Sequence, residues 1–162
     1  METLRSDDNR KGILIKWFSI IIFLIVILSV VIFLPSKACF NSQCFLVKMA
    51  INPNQRERGL MFEKSLDKDK GMLFIYPKSG QYGFWMKNTY IPLDIIWIDE
   101  DKAVVYINKD TQPCLKDCLD VNPPVNAKYV LEVNAGTTDL IGLKAGDRLI
   151  FKGIALKSLF VK

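Results

Sequence analysis

The 162-residue chain contains no histidine. That absence excludes serine–histidine and cysteine–histidine catalysis and every histidine-ligated metal site. A basic cluster is missing as well. Beyond residue 36 there are 18 Lys and Arg against 14 Asp and Glu, scattered except for the mixed run "EKSLDKDK". No aromatic residues interleave with a basic stripe, so a nucleic-acid surface is not expected. A mildly basic domain suits an anionic membrane or polymer instead. The chain has no internal repeat and no low-complexity tract, and its length allows one globular domain and little more.

One feature of the N-terminal part stands apart. From Trp17 to Ser36 run 20 consecutive uncharged residues, "WFSIIIFLIVILSVVIFLPS". At about 1.5 Å per residue a helix of that length spans roughly 30 Å, the hydrocarbon thickness of a bilayer. A soluble core helix so long would keep a polar face. A cleavable leader has a shorter apolar region, and Lys37 sits where its small cut-site residues belong. A lipoprotein reading of Cys39 fits the preceding Ser36 and Lys37 poorly. An uncleaved anchor is expected. Arg5, Arg10, Lys11 and Lys16 precede it, with only Lys37 close behind. The positive-inside rule then makes residues 1–16 cytoplasmic, 17–36 the membrane helix, 37–44 a tether and 45–162 an extracytoplasmic domain.

All four cysteines, Cys39, Cys44, Cys114 and Cys118, lie beyond the anchor, in the compartment where disulfides persist. Three pairings are open, and sequence does not choose among them. A four-cysteine zinc site is the rival, disfavoured by that location. No motif calls for a cofactor or a metal.

The outer domain alternates short apolar runs with turn signals. Strands are expected at Phe45–Ile51, Gly71–Pro77, 81–87, 93–99, 102–110, 128–134, 144–151 and 154–161. Asn52 and Pro53 open a short helix that Gly59 weakens or ends, and "AGTTDLIGL" supplies a second. Between residues 111 and 127 lies a long loop with three prolines and two cysteines, which a disulfide would stiffen. The expected class is mainly β, a small antiparallel barrel or sandwich with one or two short helices, preceded by the membrane helix.

Five ordered blocks carry a resemblance: "RGLMF" at Arg58–Phe62, "GMLFIY" at Gly71–Tyr76, "FWMKNTYIPLDIIWID" at Phe84–Asp99, "KYVLEVNAG" at Lys128–Gly136 and "GLKAGDRL" at Gly142–Leu149. Together they resemble the bacterial and archaeal family known as domain of unknown function 192, over about residues 45–155. The resemblance implies a mainly β fold and frequent export. It implies no activity, substrate or cofactor, and the cysteines fall outside the shared blocks.

Function must therefore be sought in residues. Lys87, Asn88 and Thr89 interrupt an apolar passage where the chain turns, and Pro92 fixes the return. Turn chemistry accounts for all three. Asp94, flanked by Leu93 and Ile95, is harder to account for, because a buried carboxylate needs a partner. Lys87 across the turn and Arg58 in "RERG" are the possible partners. Trp85 and Trp97 suit a core, although an aromatic beside a polar turn also binds sugar rings. Glu132 and Asn134 share a strand face and could add polar groups to a pocket, although an exposed face is the more frequent explanation.

The first reading is an extracytoplasmic binding or envelope accessory domain. Its site would be formed by Arg58, Trp85, Lys87, Asn88 and Asp94, for a small polar, anionic or sugar-like ligand or a cell-envelope component. The alternatives are a histidine-free hydrolase or lyase using Asp94 and Lys87, and a purely structural module.

Overall fold

A computed structural model describes residues 16–26 and 36–153, in two units divided between Leu34 and Pro35. In the first unit residues 16–26 are helical. The rest of the expected membrane span, 27–35, lies outside the described residues. Among the described residues no helix is long and apolar enough to cross a membrane. The strand expected at 154–161 also lies outside them.

The second unit is mainly β. Its strands are β1 (Lys37–Phe40), β2 (Gln43–Ala50), β3 (Lys70–Gly80), β4 (Leu93–Ile98), β5 (Val104–Thr111), β6 (Ala127–Asn134) and β7 (Leu149–Lys152). They form one sheet in the order β5-β4-β6-β3-β2-β1-β7. The sheet curls into a half-barrel whose outermost strands touch at one corner. There Ala103 faces Arg148, and the Val104 amide donates to the Asp147 carbonyl at 2.8 Å.

Two expectations are corrected. The sheet is not wholly antiparallel, because β2 and β3 run parallel. A parallel pair needs a long crossover, and residues 51–69 supply it with α1 (Pro53–Arg58). Asn52 caps that helix: its side chain accepts from the Gln55 amide at 2.9 Å, and the Gln55 side chain accepts from the Asn52 amide at 3.2 Å. Gly59 ends it with φ +48°. The expected tether is also structured. Lys37–Phe40 is strand β1, a hairpin with β2 that the Cys39–Cys44 disulfide closes, and it pairs on its other side with β7.

The central strands β4, β6 and β3 are covered on both faces, which is why their sequences read as nearly unbroken apolar runs. Strand alternation then sorts their side chains into two cores. Leu73, Ile75, Ile96, Ile98, Leu131 and Val133 point into the half-barrel, with Phe40, Phe45 and Leu149. Phe74, Ile95, Trp97 and Val130 point outward, beneath Leu60, Phe84, Met86 and Ile91. Loop segments over the outward face of the central strands thus act as a second layer.

That layer corrects another expectation. Residues 81–87 are not a ladder strand; only Phe84 and Lys87 make isolated bridges, to Val121 and Cys114. The period of two survives without a ladder. Phe84 and Met86 are buried, while Gly83, Trp85 and Lys87 face outward. The segment is fastened to the sheet by Trp97, whose indole Nε1 donates to the Tyr82 carbonyl at 2.8 Å.

Candidate functional site

The outward side chains of this second layer build a site with α1. A cavity of about 290 Å³ is walled by Asn54, Glu57 and Arg58 on one side and Trp85, Lys87 and Asn88 on the other, with Met61 between. Four of the five expected ligand-binding residues therefore converge. The Lys87 ammonium lies 5.1 Å from the centre of the Trp85 ring, a cation–π contact that holds both. Trp85 remains 39 % exposed, a large apolar face open to solvent. Arg58 is exposed, and its side chain has neither hydrogen bond nor ion pair among the described residues.

Asn88 keeps its turn role too. It adopts φ +55°, which asparagine tolerates better than most residues. Its amide donates to the Cys114 carbonyl at 2.9 Å, and its carbonyl accepts from the Phe62 amide at 2.8 Å. The Cys114 amide donates in turn to the Met86 carbonyl. The Cys114–Cys118 disulfide thus stiffens the loop that props one wall of the cavity.

Beside this cavity a recess of about 50 Å³ opens between Arg58, Gly59, Met61 and Trp85, and Glu132 is at its floor. Glu132 lies in the middle of the sheet, between Met72 on β3 and Ile95 on β4. Neither neighbour offers it a partner. Its residue is 4 % exposed, and Oε2 has no hydrogen-bond partner. Burial pushes this carboxyl from 4.5 up to about 8, since a low-dielectric setting penalises the charged form. At neutral pH it is therefore mostly the neutral acid, both donor and acceptor. The close backbone of Gly59 makes the ceiling. A Cβ built there would stand 3.4 Å from the Phe74 ring and 3.9 Å from Glu132 Oε2, at a positive φ that side chains rarely adopt.

A model of the family DUF192, described as uncharacterized ACR, matches residues 36–151. The chain belongs to the DUF192 family. Both the cavity and the recess lie inside the matched segment. Two solved structures are similar. One, from Sinorhizobium meliloti 1021 and provisionally described as a transcription regulator, is 34% identical with a TM-score of 0.66. It aligns over 74% of this chain and 93% of its own. The other, a protein of unknown function from Novosphingobium aromaticivorans DSM 12444, is 30% identical with a TM-score of 0.66. It aligns over 72% of this chain and 83% of its own. No curated protein matches.

Asp94 stands elsewhere in this DUF192 domain. It was expected beside Lys87 and Arg58, but it faces the half-barrel side of β4 and lines neither cavity nor recess. Its residue is 0% exposed, and its carboxylate is saturated by donors. Oδ1 accepts from the amides of Asp110 at 2.9 Å and Gly136 at 3.2 Å. Oδ2 accepts from the amide and the hydroxyl of Thr138 at 2.8 and 2.7 Å. Asp110 sits where the β4–β5 register shifts, with φ +50°, and the carboxylate takes up the amide freed there. Gly136 and Thr138 belong to the start of α2 (Thr137–Leu140), whose first amides have no partner within the helix. Asp94 ties three segments together.

Glu132 is the residue for which sequence reasoning favoured an exposed face over a place in a pocket, and it lines the recess. One signal was available: it is the only charged residue in "YVLEV", a run too apolar for a strand with a solvated side. Asn134, two residues on, is spent on the Leu66 carbonyl at 2.9 Å and does not join the site. The four cysteines pair as neighbours, Cys39 with Cys44 and Cys114 with Cys118. Among the described residues no cluster of ligands suits a metal ion.

Proposed function

We propose that this DUF192 domain is a membrane-anchored, extracytoplasmic binding module for a small polar ligand. The observation that carries the reading is the convergence of Arg58, Trp85, Lys87 and Asn88 on one open cavity of about 290 Å³. An aromatic face with cations beside it suits a ligand with a C–H surface and an anionic or hydroxylated edge. The same set would suit a component of the cell envelope. Anchoring rests on the uncharged run 17–36 and the positive charges before it. Disulfides in both cysteine pairs support an oxidising location.

A catalytic pairing of Asp94 with Lys87 has no support from the geometry, because Asp94 is buried among its own donors away from the cavity. The test is calorimetric titration of the full-length protein with neutral monosaccharides, inorganic phosphate and small carboxylates. Trp85→Ala and the double variant Arg58→Met, Lys87→Met should lose binding at least tenfold with unchanged thermal midpoints. Binding that survives all three substitutions would remove the site.

A further inference from the structure

The unpartnered Glu132 carboxyl calls for a reason. A buried polar atom without a partner costs about 1–3 kcal/mol, and a leucine at this position would avoid that cost. The residue sits in the centre of the sheet, where Met72, Phe74, Ile95 and Phe84 would accept an apolar neighbour. Nothing in the fold uses its carboxyl group, in contrast to Asp94, whose oxygens take four hydrogen bonds.

We infer that Glu132 grips the uncharged hydroxyl end of the ligand, and that the ligand is a sugar or polyol carrying one anionic group. The inference rests on the binding site proposed above and narrows its ligand class.

Three observations lead there. The recess of about 50 Å³ has room for one hydroxymethyl group or one to two waters, not for a ring. A hydroxyl both donates and accepts, so it can pair with a neutral carboxyl in either direction. The way in passes Arg58 and Trp85, with Lys87 next to the ring. Those cations disfavour an ammonium-bearing ligand and favour an anion that stays outside the recess. Trp85 lines both spaces and can lie against the C–H face of the carbon skeleton that joins the two ends.

The geometry also separates this role from a structural one. A structural carboxyl would be paired inside the protein, and its removal would unfold the domain. An unpaired one can be removed at no cost to the fold.

The experiment is calorimetry on the full-length protein with glucose 1-phosphate, glucose and inorganic phosphate. The native protein should bind glucose 1-phosphate at least tenfold more tightly than either fragment. Glu132→Leu, which keeps volume but offers neither donor nor acceptor, should fold with an equal or higher thermal midpoint and lose at least tenfold in affinity. Glu132→Gln, which keeps both, should stay within about threefold. Glucose 1-phosphate binding that depends on Arg58 and Lys87 but is unchanged in Glu132→Leu overturns this inference alone. Absence of binding by all three probes in the native protein overturns the inference together with the site on which it rests.

Discussion

Thr138 donates both its backbone amide and its hydroxyl to one oxygen of Asp94, at 2.8 and 2.7 Å, and both residues are fully buried. Two positions 44 residues apart are thereby locked into one geometry. Asp94→Asn should cost about 2–4 kcal/mol of stability, because an amide group would be turned toward backbone donors. Thr138→Val, which loses only the hydroxyl bond, should cost about 1–2 kcal/mol. Denaturant titration of the two variants measures the difference. Neither change should alter ligand affinity while the domain stays folded, since neither residue lines the cavity.

Glu132 makes stability depend on pH with a defined sign. Its carboxyl is raised from 4.5 to about 8 by burial. Between those values the folded chain keeps a proton that the unfolded chain has released, so stability falls as pH rises, by about 1.4 kcal/mol per pH unit. The benefit is fully present below the lower value and gone above the upper one. Arg56 and Arg58 of α1 and Tyr76 of β3 are the cations and phenol lining the same recess, with Glu57 at its rim. Tyr76 is itself pushed up by burial and stays neutral across this window. Chemical denaturation of native protein and Glu132→Gln at pH 5, 6, 7 and 8 isolates the effect. The difference curve should rise steadily in favour of the glutamine variant. A flat difference would mean that the carboxyl titrates in its ordinary range.

The two disulfides should differ in what they do for binding. Each closes a short loop, with sequence separations of 5 and 4, and in the chain-entropy account each contributes about 2 kcal/mol. Replacing Cys39 and Cys44 by serine should lower the thermal midpoint without changing affinity. Replacing Cys114 and Cys118 should do both, because Cys114 bonds to Asn88 and Met86 beside the cavity. Equal effects of the two pairs on affinity would refute that division.

Much of the fold was legible from residue pattern. The runs that became β3, β4 and β6 were apolar enough to read as strands, and their continuity reflects cover on both faces. The capped helix at Asn52 was equally plain. Lys37–Phe40 was not: the segment is only four residues long, and beside its hairpin with β2 it is held by β7, over a hundred residues away, with Lys37 opposite Lys152. Residues 81–87 carried the period of a strand, but periodicity reports which side chains face inward and not whether a ladder partner exists.

The site divided along the same line. Arg58, Trp85, Lys87 and Asn88 could be singled out as polar or aromatic residues at turns, and they do meet. Asp94 was equally conspicuous, yet its partners Asp110, Gly136 and Thr138 are set by a bulge and a short helix that no local pattern announces. The Glu132 recess depends on the crossover glycine Gly59, the loop residue Phe84 and a β6 side chain meeting in space. Proximity of that kind is a property of the folded sheet.

The central claim is that the face bearing Trp85 binds a small polar ligand. Amide and indole chemical-shift mapping of the full-length protein during titration with glucose 1-phosphate tests it most directly. The account predicts saturable shifts at Arg58, Gly59, Gly83, the Trp85 indole, Lys87 and Asn88, with Gly136 and Thr138 unmoved. Saturable shifts centred on Gly136 and Thr138, or none at the Trp85 face, would contradict it.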